Sequence, residues 1–328
     1  MHMKKVMRGK FMRKRQALAG FFAAASLVAG VVVSSTGGGG TAPDEPSPKT
    51  VAANAVDESK WPKRTPERGL AKGLSLPVEK YLVGYTDVVD WQRAQRDLWI
   101  SCMARFGFEK FNPPVPGVNP PIEFNDANTP RRYGASDATQ AAEYGYHLPP
   151  EQLDEPPAWE PAAGAEGAVF LGDGPELSGN TYNGVTVPEG GCRGETERQL
   201  GHLAQGENAS KVNASSMTES LKQPAVQNVI DGWAACMKDK GHAFDDPYKP
   251  AASFDLSTPT ASAEEIEVAT ADVACKGETG LIKVWSAEET AIQNQQIAAK
   301  KTSLDAELAQ TNTVKTTAQR VISEGSDK

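Results

Sequence analysis

Two copies of one residue pattern, D-x-W-x-x-C-M-x-x-x-G, constrain this chain more than any other feature. The fixed positions are Asp97, Trp99, Cys102, Met103 and Gly107 in the first copy, and Asp231, Trp233, Cys236, Met237 and Gly241 in the second. Each copy is followed by a further cysteine in C-[RK]-G-E-T, at Cys192 and at Cys275. Because the chain has only 4 Cys and 6 Trp in 328 residues, chance recurrence is a poor explanation. All four cysteines belong to two copies of one pattern.

The paired cysteines favour two disulfides if the chain is exported. Pairing within each copy gives Cys102–Cys192 and Cys236–Cys275, although two other connectivities exist. A metal site would combine the cysteines with His147, His202 or His242, but the chain has no C-x-x-C and no H-x-x-x-H spacing. We therefore predict structural disulfides, no metal and no cofactor.

The N-terminus has the layout of an export signal. Seven basic side chains and no acidic one precede an apolar run from Ala17 to Val33. This run is longer than the apolar part of a typical signal peptide and slightly shorter than the ~20 residues of a comfortable membrane span. We expect an extracytoplasmic protein that is secreted or held at the cell membrane by an uncleaved segment. Membrane contact is expected only through residues 17–33.

The rest of the chain is acidic. Without the seven basic residues of the signal, 27 basic side chains face 42 acidic ones, a net charge of −15. Such a surface repels nucleic acid, so no nucleic-acid partner is expected.

Hydrophobic spacing and capping residues predict the helices. Leu98, Cys102 and Phe106 share one helical face, and Gly107 is suited to follow the helix end. In the second copy, a helix should begin at Pro224 and stop at Gly241. A short helix capped by Ser136 or Asp137 should end at Gly145, and Asn183-Gly184 allows a small β-hairpin. Glu195 to Leu203 is predicted as a further helix.

Two capping boxes predict the last helices. Ser262 with Glu265 should open one that ends at Gly277, and Ser286 with Glu289 should open a long polar helix. A seven-residue register through this tail puts two lysines in the seam, which disfavours a self-standing coiled coil. The tail should instead pack on its own domain or on a partner. Its register positions are Ile297, Lys301, Leu304, Leu308, Thr311, Lys315, Ala318 and Ile322.

The predicted fold is mainly α: disulfide-stapled helices joined by long irregular Pro/Gly-rich loops, with one small β-hairpin. The predicted divisions are a signal peptide or membrane anchor (1–35), a flexible linker (36–76), a first Cys-pair module with a long loop insert (77–205), a second Cys-pair module (220–285) and a long polar helical tail (286–328).

Two repeated residue types have competing interpretations. Trp99 and Trp233 precede a cysteine by one helical turn, so core packing beside each bridge is favoured over ligand contact. Glu195 and Glu278 could be catalytic carboxylates. We favour instead a role in the first turn of a helix, where the helix dipole stabilises an acid.

The chain contains none of the sequence cassettes of serine hydrolases, zinc proteases or P-loop enzymes. One stretch has the composition of a recognition surface, with two cations and three tyrosines within 17 residues. Packing of these tyrosines against the domain is the favoured alternative. The candidate binding residues are Arg131, Arg132, Tyr133, Tyr144, Tyr146 and His147.

Several motifs resemble an uncharacterised family of secreted or lipid-anchored proteins from high-GC Gram-positive bacteria. They are the W-x-x-C-M-x-x-x-G run ending at Gly241, the Y-G-Y-H-L-P run from Tyr144 to Pro149, and G-G-C-R-G-E from Gly190 to Glu195. The resemblance covers about residues 85 to 310 and implies export, but it carries no activity or site. Unlike lipid-anchored members, this chain has no lipobox cysteine directly after its apolar run, so covalent lipidation is not expected.

These observations predict an exported, envelope-associated protein that binds or assists and is not an enzyme. One alternative is a cell-wall hydrolase that uses paired carboxylates. The other is an accessory subunit of an envelope transporter or sensor. In that case residues 286–328 would contact a cell-envelope component or a protein partner.

Overall fold

The computed structural model describes residues 56–121, 127–149 and 159–326. These ranges belong to one compact unit that begins at Val51. The predicted signal or anchor (1–35) and residues 36–55 of the predicted linker lie outside the described residues. Across the described ranges, no helix combines the length and apolar composition that a membrane span requires.

The fold is mainly α, as predicted, with one two-stranded hairpin and two short 3₁₀ helices in the described ranges. The 3₁₀ helices are Glu58–Lys60 and Pro77–Tyr81, and the strands are β1 (Thr181–Tyr182) and β2 (Val185–Thr186). The α-helices are α1 (Tyr85–Ala104), α2 (Ala138–Tyr144), α3 (Ala165–Leu171), α4 (Gly191–Leu200), α5 (Glu207–Ser220), α6 (Pro224–Asp239), α7 (Lys249–Ala252), α8 (Ala263–Thr279), α9 (Leu281–Ala299) and α10 (Lys301–Ser326).

Several helix ends follow the local chemistry of the sequence. Helix α6 begins at Pro224, and Gly241 follows its end with φ +92°. The Asp137 carboxylate caps α2 by accepting from the backbone N–H groups of Thr139 and Gln140. The same helix stops at Gly145, which has φ +59°. These boundaries were predicted because proline, a side-chain cap and glycine act over only a few residues.

Two predicted boundaries near the C-terminus are wrong. Helix α8 continues past Gly277 and ends before Gly280, which has a left-handed conformation. Helix α9 begins at Leu281, so Ser286 lies inside it. The extra first turn forms because Leu281 and Trp285 are buried in the core, and this packing is worth more than a local cap. The predicted helix from Glu195 to Leu203 is also shifted, because α4 spans Gly191–Leu200.

The predicted hairpin forms, with two residues in each strand. Thr181 pairs with Thr186, and Tyr182 pairs with Val185. The connecting Asn183-Gly184 has positive φ at both residues, 49° and 78°, as a type I′ turn requires.

Helix α9 lies at the centre of the C-terminal half, where it packs against α5 and α6. Helix α8 packs against α2 and α6, and α1 packs against α4 and α10. The predicted polar tail is thus integrated into the fold through α9 and α10. A partner on the exposed face of residues 286–328 stays a prediction.

Residues 56–76, the end of the predicted flexible linker, pack onto the helices. Trp61 is 8% exposed, and its indole N–H donates to the Gly117 carbonyl at 3.0 Å. The Arg93 guanidinium lies 4.9 Å from the centre of the Trp61 ring. Ala71 and Leu76 are also buried. The flexible linker was predicted to extend to residue 76, but these scattered apolar side chains hold residues 56–76 against the rest of the protein.

Candidate functional site

The candidate residues between Arg131 and His147 surround helix α2. Three buried acids from α8 and α9 hold this segment: Glu265, Asp272 and Glu289. Glu289 receives hydrogen bonds from Arg132 and Tyr133, whereas Asp272 and Glu265 both receive them from Tyr146. The arrangement determines which candidate side chains remain available at the surface.

Glu289, on α9, accepts hydrogen bonds from the first part of the segment. Its carboxylate forms a buried ion pair with Arg132, whose Nε lies 2.9 Å from Glu289 Oε2. It also accepts from the Tyr133 hydroxyl at 2.8 Å and from the Ser216 hydroxyl at 2.7 Å. Burial raises the pKa of the Tyr133 phenol, and the adjacent Glu289 carboxylate raises it further. The tyrosine therefore stays protonated as a donor.

Asp272, on α8, is fully buried and forms the second attachment. It pairs with Lys276 at 2.9 Å, accepts from the Trp233 indole N–H at 2.9 Å and accepts from the Tyr146 hydroxyl at 3.2 Å. Burial raises the pKa of Asp272 and lowers the pKa of Lys276. Lys276 also donates to the Ala135 carbonyl at 3.1 Å, so the buried pair is linked to the candidate segment at two points.

Glu265 forms the third attachment. It accepts from the backbone N–H of Tyr146 at 2.8 Å, and its Oε1 lies 2.9 Å from His147 Nδ1. The other ring nitrogen of His147 lies 3.0 Å from the Thr258 carbonyl. Arg131 completes the arrangement by donating to the Tyr146 and His147 carbonyls at 3.0 and 3.1 Å.

The structure therefore brings the candidate residues together, but mostly inside the protein. Tyr133, Tyr146 and His147 are buried, and the Arg132 side chain is 8% exposed. Tyr144 is partly exposed. These polar groups form hydrogen bonds and ion pairs inside the protein, and they attach the segment around α2 to the core. This arrangement is the packing alternative that was given for the tyrosines. Whether any of the six residues also binds a ligand stays a prediction.

An open cleft lies on the outer side of the same segment, with a volume of about 320 Å³. One wall is the chain from Ser59 to Arg68, and the other is formed by residues 130–145. Arg68 crosses between the walls and pairs with Asp137 at 3.3 Å. Two exposed lysines line the rim, Lys63 and Lys60, of which Lys60 also pairs with Asp57 at 3.9 Å. The sequence did not indicate this cleft, because residues 59–68 were placed in the predicted flexible linker (36–76).

The two motif tryptophans have different environments. Trp233 is fully buried and donates to Asp272, which lies three residues before Cys275. The position equivalent to Asp272 in the first copy is Glu189, which is exposed. Trp99 is partly buried, and its indole nitrogen has no hydrogen-bond partner in the described structure. It packs instead among aromatic rings, at centroid distances of 5.9 Å from Trp159 and 5.1 Å from Phe170.

Both predicted in-copy disulfides are present, Cys102–Cys192 and Cys236–Cys275. The predicted helix-dipole role of the glutamates that follow them is wrong. Glu278 lies in the last turn of α8, where the dipole disfavours an acid, and Glu195 lies beyond the first turn of α4. Both carboxylates instead lie beside a disulfide sulfur, 3.2 Å away in the first copy and 3.4 Å in the second.

Among the residues that the structure describes, no three His, Cys, Asp or Glu side chains are grouped to hold a metal ion. The four cysteines are occupied in disulfides. His147 contacts Glu265, and the His202 ring packs edge-on against Trp91 at 6.3 Å.

Comparison with known proteins leaves the chain without a match. No protein-family model, curated protein sequence or solved structure matches it. The family resemblance drawn from the sequence motifs therefore stays a prediction. Function must be inferred from the geometry of the protein alone.

Proposed function

We propose that this chain is an exported, non-catalytic binding protein whose ligand occupies the cleft between residues 59–68 and 130–145. The proposal rests on one observation: some polar groups are enclosed in the interior, and others line an open cleft at the surface. Arg132, Asp272 and Glu289 are used to build the fold, whereas the cleft behind them is open to solvent. A cleft lined by several polar groups is suited to binding.

The cleft gives less support to a cell-wall hydrolase. Its two acids are Glu67 and Asp137. Asp137 already caps α2 and pairs with Arg68, so its oxygens are engaged in positioning the wall. Glycoside cleavage requires one carboxyl group that donates a proton and a second one that either attacks the sugar or activates a water molecule. The positive rim formed by Lys60 and Lys63 instead favours a polar or anionic ligand from the cell envelope.

A variant that fills the cleft would test the proposal. Thr65 is exposed and lines the cleft, so Thr65→Trp should block it without disturbing the core. Thr302→Trp, on the exposed face of α10, is the matched control. Both proteins and the parent would be titrated calorimetrically with soluble peptidoglycan fragments, envelope oligosaccharides and short peptides. We expect at least one probe to bind the parent and the control equally, and Thr65→Trp at least about tenfold more weakly. Unchanged binding by Thr65→Trp, or no binding of any probe to the parent, would contradict the proposal.

Export is supported by the two disulfides and by the basic and apolar N-terminal residues. A fusion to a phosphatase that is active only outside the cytoplasm would test it. The full-length fusion should be active, and a fusion without residues 1–35 should not. Equal activity of the two fusions would exclude an export role for this segment.

A further inference from the structure

The first disulfide has an ion pair beside the sulfur of Cys102. Glu195 Oε2 lies 3.2 Å from Cys102 Sγ, and Arg105 Nη2 lies 2.9 Å from the same sulfur. Glu195 and Arg105 also pair with each other. Arg105 comes from the end of α1 and Glu195 from α4, so two elements are needed to assemble the arrangement.

The second disulfide also has a carboxylate beside its sulfur, but its cation contacts the carboxylate and not the sulfur. Glu278 Oε2 lies 3.4 Å from Cys236 Sγ, and Glu278 Oε1 lies 3.2 Å from Lys240 Nζ. Glu278 follows Cys275 by three residues, as Glu195 follows Cys192. The repeat therefore preserves a carboxylate beside the sulfur and a cation beside the carboxylate. The helix dipole opposes Glu278 at its position, so a separate interaction must account for it.

Burial determines which sulfur a reagent can reach. Cys192 and Cys275 are fully buried, Cys102 is buried but keeps 5% of its surface exposed, and Cys236 is partly exposed. The outer sulfur in each bridge is therefore the one contacted by a carboxylate. A molecule approaching that sulfur from solvent must come close to the carboxylate.

We propose that the carboxylates of Glu195 and Glu278 protect the two disulfides from anionic thiols. In reduction, a thiolate attacks the outer sulfur, forms a mixed disulfide and displaces the buried cysteine as a thiolate. A second thiolate releases the outer cysteine, and the two reagent thiols leave as their own disulfide. The carboxylate repels the attacking charge in the first step. It also neutralises Arg105 or Lys240, which would otherwise attract thiolates to the sulfur.

The proposal is tested with two thiols of opposite side-chain charge on the full chain. Mercaptoethanesulfonate carries an additional negative charge, whereas cysteamine carries a positive one. Glu195→Gln and Glu278→Gln remove a guarding charge and keep the side-chain shape. Glu197→Gln in α4 and Glu267→Gln in α8 are matched controls, because both glutamates are exposed on the same helices. Reduction of each bridge would be followed by rapid alkylation and peptide mass spectrometry, with rates expressed per thiolate.

We expect each Gln variant to speed reduction of its own bridge by mercaptoethanesulfonate about threefold to tenfold, the effect of an exposed ion pair. Reduction by cysteamine should not accelerate, and added salt should diminish the difference. The two control variants should match the parent. Equal acceleration by both thiols would show loosened packing, and no acceleration by mercaptoethanesulfonate would show that the carboxylates give no protection. Either result would overturn the proposal.

Discussion

Glu289 illustrates how a single acidic side chain can organise several elements. It lies on α9 and is fully buried, yet it receives donors from Arg132 and Tyr133 beside α2 and from Ser216 on α5. A buried carboxylate is tolerated only when its oxygens are hydrogen-bonded and its charge is paired. The pairing therefore fixes the position of three separate chain segments.

Replacing Glu289 by Gln should destabilise the protein strongly. The substitution keeps the shape but leaves the Arg132 charge buried without its partner, which costs about 3–5 kcal/mol. Urea unfolding followed by circular dichroism would measure the loss. Glu288→Gln, at the neighbouring and partly exposed position, should change the free energy of unfolding by less than about 0.5 kcal/mol. Equal effects of the two substitutions would mean that the ion pair is not what stabilises this region.

Glu79 should make stability depend on pH in the opposite sense to most acids. Burial raises the pKa of Glu79, although its hydrogen bond from the Leu76 N–H and the charges of Arg64 and Arg132 oppose the shift. The folded state therefore holds the proton more tightly than the unfolded state. The stability that this group contributes is present below its unfolded pKa and is lost as pH rises through the folded pKa.

Glu79→Gln should remove this dependence. Glu79 Oε2 is buried without a hydrogen-bond partner, so a neutral amide should raise the free energy of unfolding by roughly 1 kcal/mol at pH 7. The gain should disappear at pH values below the ordinary glutamate pKa. Unfolding measured from pH 3 to 8 would test this, with the exposed Glu109→Gln as control. A gain that stays constant with pH would argue against the titration of Glu79 as its cause.

At the scale of elements, the two Cys-pair copies use one motif in different surroundings. Trp233 of α6 donates a hydrogen bond to Asp272, whereas Trp99 of α1 stacks on other aromatic rings. The second cysteine also differs in place, because Cys192 lies at the start of α4 and Cys275 lies near the end of α8. The shared sequence therefore specifies the bridge and its tryptophan, while the neighbouring elements set the packing.

The Gly190-Gly191 pair allows α3 and α4 to meet through their backbones. A Cβ atom on Gly191 would overlap the Gly172 nitrogen and the Phe170 carbonyl, and its φ is +66°. Gly107 also has positive φ, +85°, but a Cβ atom there would have no atom from another part of the described structure within 4 Å. Comparing the two positions separates the energetic cost of close backbone contact from the cost of a left-handed backbone conformation.

Gly191→Ala should cost about 3 kcal/mol or more, because backbone overlap adds to the left-handed strain. Gly107→Ala should cost only about 1–2 kcal/mol, from the strain alone. The difference between the two free energies of unfolding is the quantity to measure. If the two alanine variants were equally stable, the close approach of α3 and α4 would not be required.

At the scale of the whole molecule, the C-terminal helices are part of the core. Leu304, Ala318 and Val321 of α10 are buried, and Lys315 pairs with Asp87 of α1 at 2.7 Å. This ion pair explains how a lysine can occupy the packed seam. A partner experiment that deletes residues 286–328 would remove most of α9 as well, so loss of a partner could reflect unfolding.

A chain ending at Lys300 should be less stable than the full chain by at least about 3 kcal/mol, because it loses the burial of Leu304 and Val321 and exposes the face of α1. Removing only Asp327 and Lys328 provides the control and should have no effect. Thermal unfolding would report the difference. An unchanged midpoint for the shorter chain would show that α10 is dispensable for the fold.

Local signals in the sequence determined a large part of this protein. They predicted the paired bridges, the hairpin turn, the start of α6 and the cap of α2, because each depends on residues close in the chain or on a repeated pattern. The tail register argued only against a self-standing coiled coil, yet its positions lie on the packed side of the helices, since seven of the eight are not exposed. Lys301 is the exception. It is the first residue of α10, directly after Lys300, where α9 ends.

Only the tertiary structure decided where the polar residues are used. Glu289 was predicted to cap a helix and instead pairs with Arg132, 157 residues earlier in the chain. Most of the candidate recognition residues lie inside the protein, where they attach α2 to the core. The cleft lies between this segment and residues 59–68. Burial and pairing depend on contacts between distant segments, whose energy no local spacing contains. The sequence therefore determined the bridges and many helix ends, and the tertiary structure decided which charged groups are enclosed and which surface remains open.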